Sequence, residues 1–149
     1  IDENLRRLKL NATVKVADCL DLAAWWDGQP YDRILADVPC SASGVVRRHP
    51  DIKVLRTPEE LDKLGELQQQ LLKNLWLLLK PGGILLYATC SIMPKENTRV
   101  IEAFLARNKD ASCDQLDVEW GLAQTCGRQL LPQLDGHDGF YYARLRKEI

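Results

Sequence analysis

The stretch GILLYAT, residues 83–89, is a continuous apolar run of strand length. Such a run, without alternation of polar and apolar residues, is typical of a strand that is buried on both faces of a sheet. The residues KPGG, which begin at position 80, stop a leucine-rich helical pattern just before this run. A helix that leads directly into a buried strand predicts an α/β fold.

The segments upstream continue this alternation. Thr57 is followed by Pro58 and then by Glu60, the pattern of a capping box with proline at the first helical position. Thr57 is therefore predicted to begin the helix that ends at KPGG. The segments TVKVAD (residues 13–18) and YDRILAD (residues 31–37) are predicted to be strands.

The segments downstream complete the pattern. Pro94 is predicted to open a further helix with one apolar face, and DGFYYARLR (residues 138–146) alternates well enough to be a late strand. Strand and helix in this alternating order predict an α/β fold with a largely parallel sheet.

Two short stretches, DVPCSASG (residues 37–44) and ATCS (residues 88–91), each place a cysteine directly after a predicted strand. In open α/β sheets, ligands bind outside the carboxyl ends of the strands. Asp37, Cys40 and Cys90 are therefore expected to meet on one rim of the sheet, although Cys40 and Cys90 are 50 positions apart.

Composition limits the possible functions. The net charge is −1, so any site for a polyanion must be a local patch. The five cysteines are expected to be reduced thiols, and the absence of a C-x-x-C pair argues against a structural zinc site. The sequence contains no apolar run of membrane-spanning length and no signal-peptide pattern. We expect a cytoplasmic protein without a metal.

The residues themselves resemble a known family. DVPCSASGVVRRHPDIK (residues 37–53) resembles motif IV of the RNA cytosine-5 methyltransferases, and KPGGILLYATCSIMPKENTRVIEAFL (residues 80–105) resembles their motifs V and VI. The most similar group is the bacterial Sun/Fmu (RsmB) ribosomal RNA methyltransferase family. The resemblance implies a Rossmann-like class I methyltransferase fold, S-adenosylmethionine as cofactor, small-subunit ribosomal RNA as partner, and neither metal nor membrane.

The resemblance also implies roles for single residues. Cys90 would add to carbon 6 of a cytosine, which makes carbon 5 nucleophilic enough to accept a methyl group. Cys40 would assist release of the product once the carbon 5 proton leaves. Asp37 would hold the base or the amine end of the donor, and Asp18 would contact the donor's adenine. Because a stacked base cannot reach the rim, a single-stranded RNA loop is the expected substrate.

Each of these roles has a simpler alternative. Cysteine is commonly a small buried hydrophobic residue, which is the alternative for the two cysteines above and our interpretation of Cys19, Cys113 and Cys126. The two aspartates have the alternative of ordinary turn residues at strand ends. If these alternatives hold, the chain is a noncatalytic module that binds RNA or a protein.

The loop from residue 45 to residue 57 carries four basic side chains and a single acidic one, Asp51. It is a candidate for contacts with RNA phosphates, and a solvated charged loop is an equal alternative. The four basic residues are Arg47, Arg48, Lys53 and Arg56.

The resemblance further implies a glycine-rich turn for the donor and a carboxylate for its ribose, and neither is visible before Thr13. We therefore expect residues 1–149 to be a partial catalytic domain that lacks the donor-binding first half and any N-terminal RNA-binding domain. Such a fragment should be inactive alone and should not bind S-adenosylmethionine measurably. The strand at residues 31–37 should then have an unpaired edge.

Overall fold

The computed structural model describes all residues, 1–149, as one six-stranded sheet with helices. The strands are β1 (Tyr31–Asp37), β2 (Leu79–Thr89), β3 (Ala111–Cys113), β4 (Leu122–Ala123), β5 (Arg128–Leu130) and β6 (Phe140–Lys147). The helices are α1 (Asp2–Leu8), α2 (Leu22–Trp25), α3 (Ile52–Leu55), α4 (Pro58–Leu77) and α5 (Thr98–Arg107), with a 3-10 turn at Ser43–Val45. No helix is both long and apolar enough to cross a membrane.

The sheet confirms the α/β class, but it is mixed rather than largely parallel. The main path runs β1-β2-β6-β5-β4, and β3 pairs with β6. Only β1 and β2 are parallel, because the long helix α4 carries the chain back to the start of the sheet between them. All other pairs are antiparallel.

Helix α4 begins as the sequence predicts. The Glu60 backbone N–H donates to the Thr57 hydroxyl at 3.3 Å, and the Thr57 N–H donates to the Glu60 carboxylate at 3.1 Å. These two bonds satisfy donors that the first turn of a helix otherwise leaves free. Pro58 occupies the first helical position, where its missing N–H costs nothing.

The core lies on one face of the sheet, under α4 and α5. Trp76 of α4 meets Phe104 of α5 edge to face, with ring centroids 5.2 Å apart. Fully buried apolar side chains from both helices and from the two central strands fill the layer between them: Leu72, Leu85, Tyr87, Ile101, Tyr141, Ala143 and Leu145.

The opposite face of the sheet is only partly covered. On β2, Leu85 and Tyr87 are buried whereas Ile84 and Leu86 are half-buried, and Leu35 on β1 is 68% exposed. The expectation that residues 83–89 are buried on both faces is therefore wrong for this structure, because both large helices pack on the same side. Strand β1 is also an edge strand, as expected.

Two further predictions are corrected. Residues 13–18 form no strand, and Val16 is fully exposed. An extended segment needs a partner strand for its backbone hydrogen bonds, and this one has none. The second correction concerns α5, which begins at Thr98 and not at Pro94, since residues 94–97 form turns closed by bonds such as Asn97 N–H to Pro94 O at 3.2 Å.

The expectation of five reduced thiols is also wrong, because Cys113 and Cys126 form a disulfide with their Cα atoms 5.8 Å apart. Strands β3 and β5 both pair with the same edge of β6, which brings Cys113, at the end of β3, close to Cys126, two residues before β5. The pairing is a product of sheet topology and is not visible in the spacing of the cysteines. Cys19 is exposed and not a buried hydrophobic residue.

Candidate functional site

The two cysteine loops meet where β1 and β2 end side by side. Asp37, the last residue of β1, pairs in register with Ala88 of β2, and each strand then continues into a loop that carries a cysteine. The sulfur atoms of Cys40 and Cys90 lie 3.3 Å apart, within hydrogen-bond distance for sulfur. The structure therefore brings together the rim residues that the sequence analysis singled out, and both thiols remain partly accessible.

The two thiols differ in acidity. The hydrogen bond from Cys40 lowers the pKa of Cys90 to about 7, against an opposing effect of burial. The same hydrogen bond, together with burial, raises the pKa of Cys40. Cys90 is therefore a thiolate near neutral pH, whereas Cys40 keeps its proton and donates a hydrogen bond to Cys90. A nucleophile and an assisting acid–base group require this difference.

This difference predicts the pH dependence of alkylation. Iodoacetamide attacks the thiolate, so modification of Cys90 should accelerate as the pH rises through about 7. Replacing Cys40 with alanine removes the donor that stabilises the thiolate and should move this midpoint to higher pH. Mass spectrometry of the Cys90 peptide, in a Cys19→Ala background, measures both profiles. Identical midpoints with and without Cys40 would contradict the hydrogen-bond explanation.

A buried polar cluster forms hydrogen bonds to both cysteine loops, and it was not predicted from the sequence. Its centre is Glu96, which is fully buried and bonded to Ser41 and Ser91, the residues that follow the two cysteines. A glutamate just after Pro94 looks like an ordinary acidic residue at a helix start. No local signal distinguishes it, because its partners are far away in the sequence.

Two cavities lie beside the loop that carries Cys40. The first has a volume of about 360 Å³ and is lined by Asp18, Asp37 and Pro39 with apolar side chains of α4. The second, of about 320 Å³, is mostly apolar and is lined by Ser41, Lys53 and other residues of the basic loop. Pro39 lines the first cavity and Ser41 lines the second, and Cys40 lies between these two residues in the chain.

Asp18 lies in the first cavity but not at a strand end, because no strand precedes it. Its carboxylate accepts a hydrogen bond from the Leu20 N–H at 2.8 Å, a local turn contact of the kind that the simpler interpretation expects. Asp37 is exposed at the rim, where its charge raises the pKa of Tyr142, an effect second to that of burial.

The basic loop is less free than its composition suggests. Arg47 donates to Gly136 O at 3.0 Å, Arg48 pairs with Asp138 at 2.6 Å, and Arg56 donates to Ser41 O at 3.1 Å. The Lys53 side chain, by contrast, makes no hydrogen bond or ion pair within the chain. Three of the four residues therefore help to hold the loop against its own chain.

Comparison with known proteins identifies the family. The family described as "16S rRNA methyltransferase RsmB/F" matches residues 1–146. A ribosomal RNA small subunit methyltransferase B from Pseudomonas putida is 56% identical over 147 residues, which cover 99% of this chain and 34% of that protein. The chain thus spans about a third of the length of the curated relatives that it matches.

Solved structures agree with this match. NSun6 from Pyrococcus horikoshii, determined with SFG, superposes with a TM-score of 0.82 at 28% identity, covering 98% of this chain and 37% of that one. A methyltransferase homolog protein from the same organism superposes with a TM-score of 0.79 at 32% identity, covering 98% and 48%. The sheet, the paired cysteines and these similarities agree, and this chain belongs to the 16S rRNA methyltransferase RsmB/F family.

Proposed function

We propose that this chain carries the chemical centre of an enzyme that transfers a methyl group to carbon 5 of a cytosine in small-subunit ribosomal RNA, in the cytoplasm. The observation that carries the proposal is the pair of thiols 3.3 Å apart, of which Cys90 has its pKa lowered to about 7 by Cys40. A thiolate beside a second, protonated thiol suits a reaction that forms a carbon–sulfur bond and later breaks it.

In this reaction the Cys90 thiolate bonds to carbon 6 of the ring, and the displaced electron pair makes carbon 5 nucleophilic. S-adenosylmethionine supplies an electrophilic methyl group. The hydrogen bond to Cys90 is the main cause of the raised pKa of Cys40, and it weakens once the Cys90 sulfur is bonded to carbon. Cys40, which is partly accessible, can then lose its proton to solvent water, and the resulting thiolate accepts the proton that leaves carbon 5. The electron pair of the broken carbon 5–hydrogen bond forms the double bond between carbons 5 and 6 again, and the Cys90 sulfur leaves carbon 6.

The first cavity fits the donor. Its volume of about 360 Å³ lies within the usual range for ligand cavities, roughly 300–1,000 Å³. Apolar side chains suit an adenine ring, and the carboxylates of Asp18 and Asp37 suit hydrogen-bond donors such as an amine. NSun6 was determined with SFG, an analogue of S-adenosylmethionine, which supports the same donor here.

The second cavity suits the RNA side of the reaction. Ser41, the residue after Cys40, lines it, and so does Lys53, whose side chain has no partner within the chain. A flipped base entering there would meet the cysteine pair from one side and the donor from the other. The curated relatives are named for ribosomal RNA of the small subunit, which supports that substrate class.

Lys53 gives the sharpest test of the RNA surface. Neutralising it in Lys53→Gln should weaken RNA binding and reduce the slope of log affinity against log salt by about 0.7, because one fewer phosphate contact releases one fewer set of counterions. Lys109→Gln is the matched control, since Lys109 is exposed after α5, away from the basic loop. Filter binding of a single-stranded RNA at several salt concentrations measures both. Equal slopes would favour a solvated loop.

We further propose that residues 1–149 form part of a larger catalytic domain. The free edge of β1 and the exposed Leu35 beside it offer a surface on which further strands and helices can pack. Experiments on methyl transfer therefore use the intact enzyme, by which we mean this chain within a protein of the length of its curated relatives.

The direct test is mass spectrometry of ribosomal RNA after incubation with the intact enzyme and S-adenosylmethionine carrying an isotopically labelled methyl group. We expect label in 5-methylcytosine. RNA binding without any labelled nucleotide would favour the alternative of a noncatalytic module, in which the cysteines only pack.

A further inference from the structure

A buried carboxylate lies beneath the two cysteines, and the reaction described above makes no use of it. Glu96 is fully inaccessible to solvent, although glutamate is among the residues least often buried. It forms no ion pair within the chain, and burying a carboxylate without a cation is costly unless hydrogen bonds replace its water. Hydrogen bonds must therefore compensate for the water that this carboxylate loses on burial.

Hydrogen bonds from both cysteine loops supply that compensation. One carboxylate oxygen, Oε2, accepts from the hydroxyl of Ser41 and from the hydroxyl of Ser91, each at 2.6 Å. The other oxygen, Oε1, accepts from the Ser41 backbone N–H at 2.7 Å. Ser41 follows Cys40 and Ser91 follows Cys90, so a single side chain binds the next residue after each thiol.

The surroundings of Glu96 hold the carboxylate still. The Gln68 side chain donates to Oε1 at 3.3 Å and also to Pro39 O at 2.8 Å, which ties α4 to the loop just before Cys40. The Tyr87 hydroxyl donates to the backbone carbonyl of Glu96 at 2.7 Å from within the core. Glu96 is thus held by side chains of α4 and β2, and it in turn holds the two cysteine loops through hydrogen bonds.

We propose that Glu96 is a positioning residue, a buried carboxylate that clamps the loops of Cys40 and Cys90 and so keeps their sulfur atoms at the 3.3 Å separation. The catalytic consequence rests on the proposed function, whereas the geometric one does not.

The charge of Glu96 does not favour the Cys90 thiolate, so the role of Glu96 is to position the cysteine loops. The hydrogen bond from Cys40 lowers the pKa of Cys90, whereas the charges of Asp37 and Glu96 raise it. The charge of Glu96 therefore opposes formation of the thiolate. What the glutamate contributes is the placement of Cys40, whose hydrogen bond outweighs that opposition.

Phenylarsine oxide tests the geometry without any methyl transfer. The reagent forms one arsenic–sulfur bond to each of two neighbouring thiols and releases water, so its affinity reports their separation. In a Cys19→Ala chain, we expect Glu96→Ala to weaken binding of the arsenical by at least about tenfold. This is the lower end of the range expected when hydrogen bonds to a charged group are lost. Glu102→Gln is the matched control, because Glu102 is exposed on α5. Circular dichroism checks that each variant is folded.

If Glu96→Ala does not fold, Glu96→Gln carries the test, since it keeps the side-chain volume and one acceptor oxygen. It should weaken arsenical binding severalfold. In the intact enzyme it should lower kcat by about 10- to 100-fold, while the KM values of RNA and donor stay within about twofold. Displaced cysteines slow the chemical step, whereas the groups that bind RNA and donor are unchanged. Arsenical affinity equal to that of the control in folded Glu96→Gln would overturn the proposal. Failure of the parent enzyme to methylate RNA would count against the proposed function alone.

Discussion

Replacing Cys90 with alanine in the intact enzyme is expected to abolish methyl transfer, with turnover falling on the order of 10⁴-fold or more, the scale seen when a covalent nucleophile is removed. Without this sulfur, carbon 5 of cytosine remains too weak a nucleophile to accept the methyl group. Transfer of labelled methyl groups to RNA measures the loss. No covalent protein–RNA complex should appear on a denaturing gel.

Replacing Cys40 with alanine should have a different result. Turnover should fall by about 10²- to 10⁴-fold, the usual contribution of acid–base assistance, while a covalent protein–RNA adduct accumulates. The loss of Cys40 also raises the pKa of Cys90, since it removes the hydrogen bond that lowers it. The comparison is therefore made at several pH values above an ordinary thiol pKa of about 8.5, so that the loss of Cys90 ionisation is separated from the loss of Cys40 itself.

Glu102→Gln is the control for both changes, because Glu102 is exposed on α5 and lines neither cavity beside the cysteine loops. It should leave turnover and adduct formation unchanged. If the adduct instead accumulates in Cys90→Ala and disappears in Cys40→Ala, the thiol after Pro39 is the attacking group and the two roles are exchanged.

Local signals explain why some elements could be predicted from the sequence. The start of α4 is determined by Thr57, Pro58 and Glu60, which lie within one turn and bond to one another. The strand at residues 31–37 follows the turn-forming residues DGQP, and the strand containing residues 83–89 is a continuous apolar run after PGG. Their ends place the two cysteine loops side by side, which is why the centre of the site was also predictable.

Features that depend on distant partners could not be predicted. Residues 13–18 have a strand-like composition but no neighbouring strand to pair with. The disulfide of Cys113 with Cys126 follows from two short strands pairing with the same edge of β6. The contacts of Glu96 with Ser41 span 55 positions, and nothing in the sequence near either residue marks them.

Gly44→Ala is a further substitution with a large expected effect, because the backbone of Gly44 is bonded to two other parts of the site. Its N–H donates to Cys90 O at 2.9 Å, and its carbonyl accepts from the Gly139 N–H at 2.9 Å. A Cβ atom at this position would overlap the Gly139 carbonyl and lie 2.8 Å from Cys90 O. Both obstacles are backbone atoms, so they cannot move aside by rotating a side chain.

We expect Gly44→Ala to lower the free energy of unfolding by about 3 kcal/mol, the upper part of the usual range for overpacking. Methyl transfer by the folded intact enzyme should fall by about 10²-fold, since a displacement of about 1 Å at a reacting group has that effect. Gly65→Ala is the matched control. Gly65 lies within α4, and a Cβ atom there would meet only Lys95 O, at 3.5 Å. This substitution should stabilise the protein by up to about 1 kcal/mol. Urea denaturation measures both stabilities. If the two variants unfold at the same urea concentration, the close approach of Gly44, Cys90 and Gly139 does not hold the cysteine loops together.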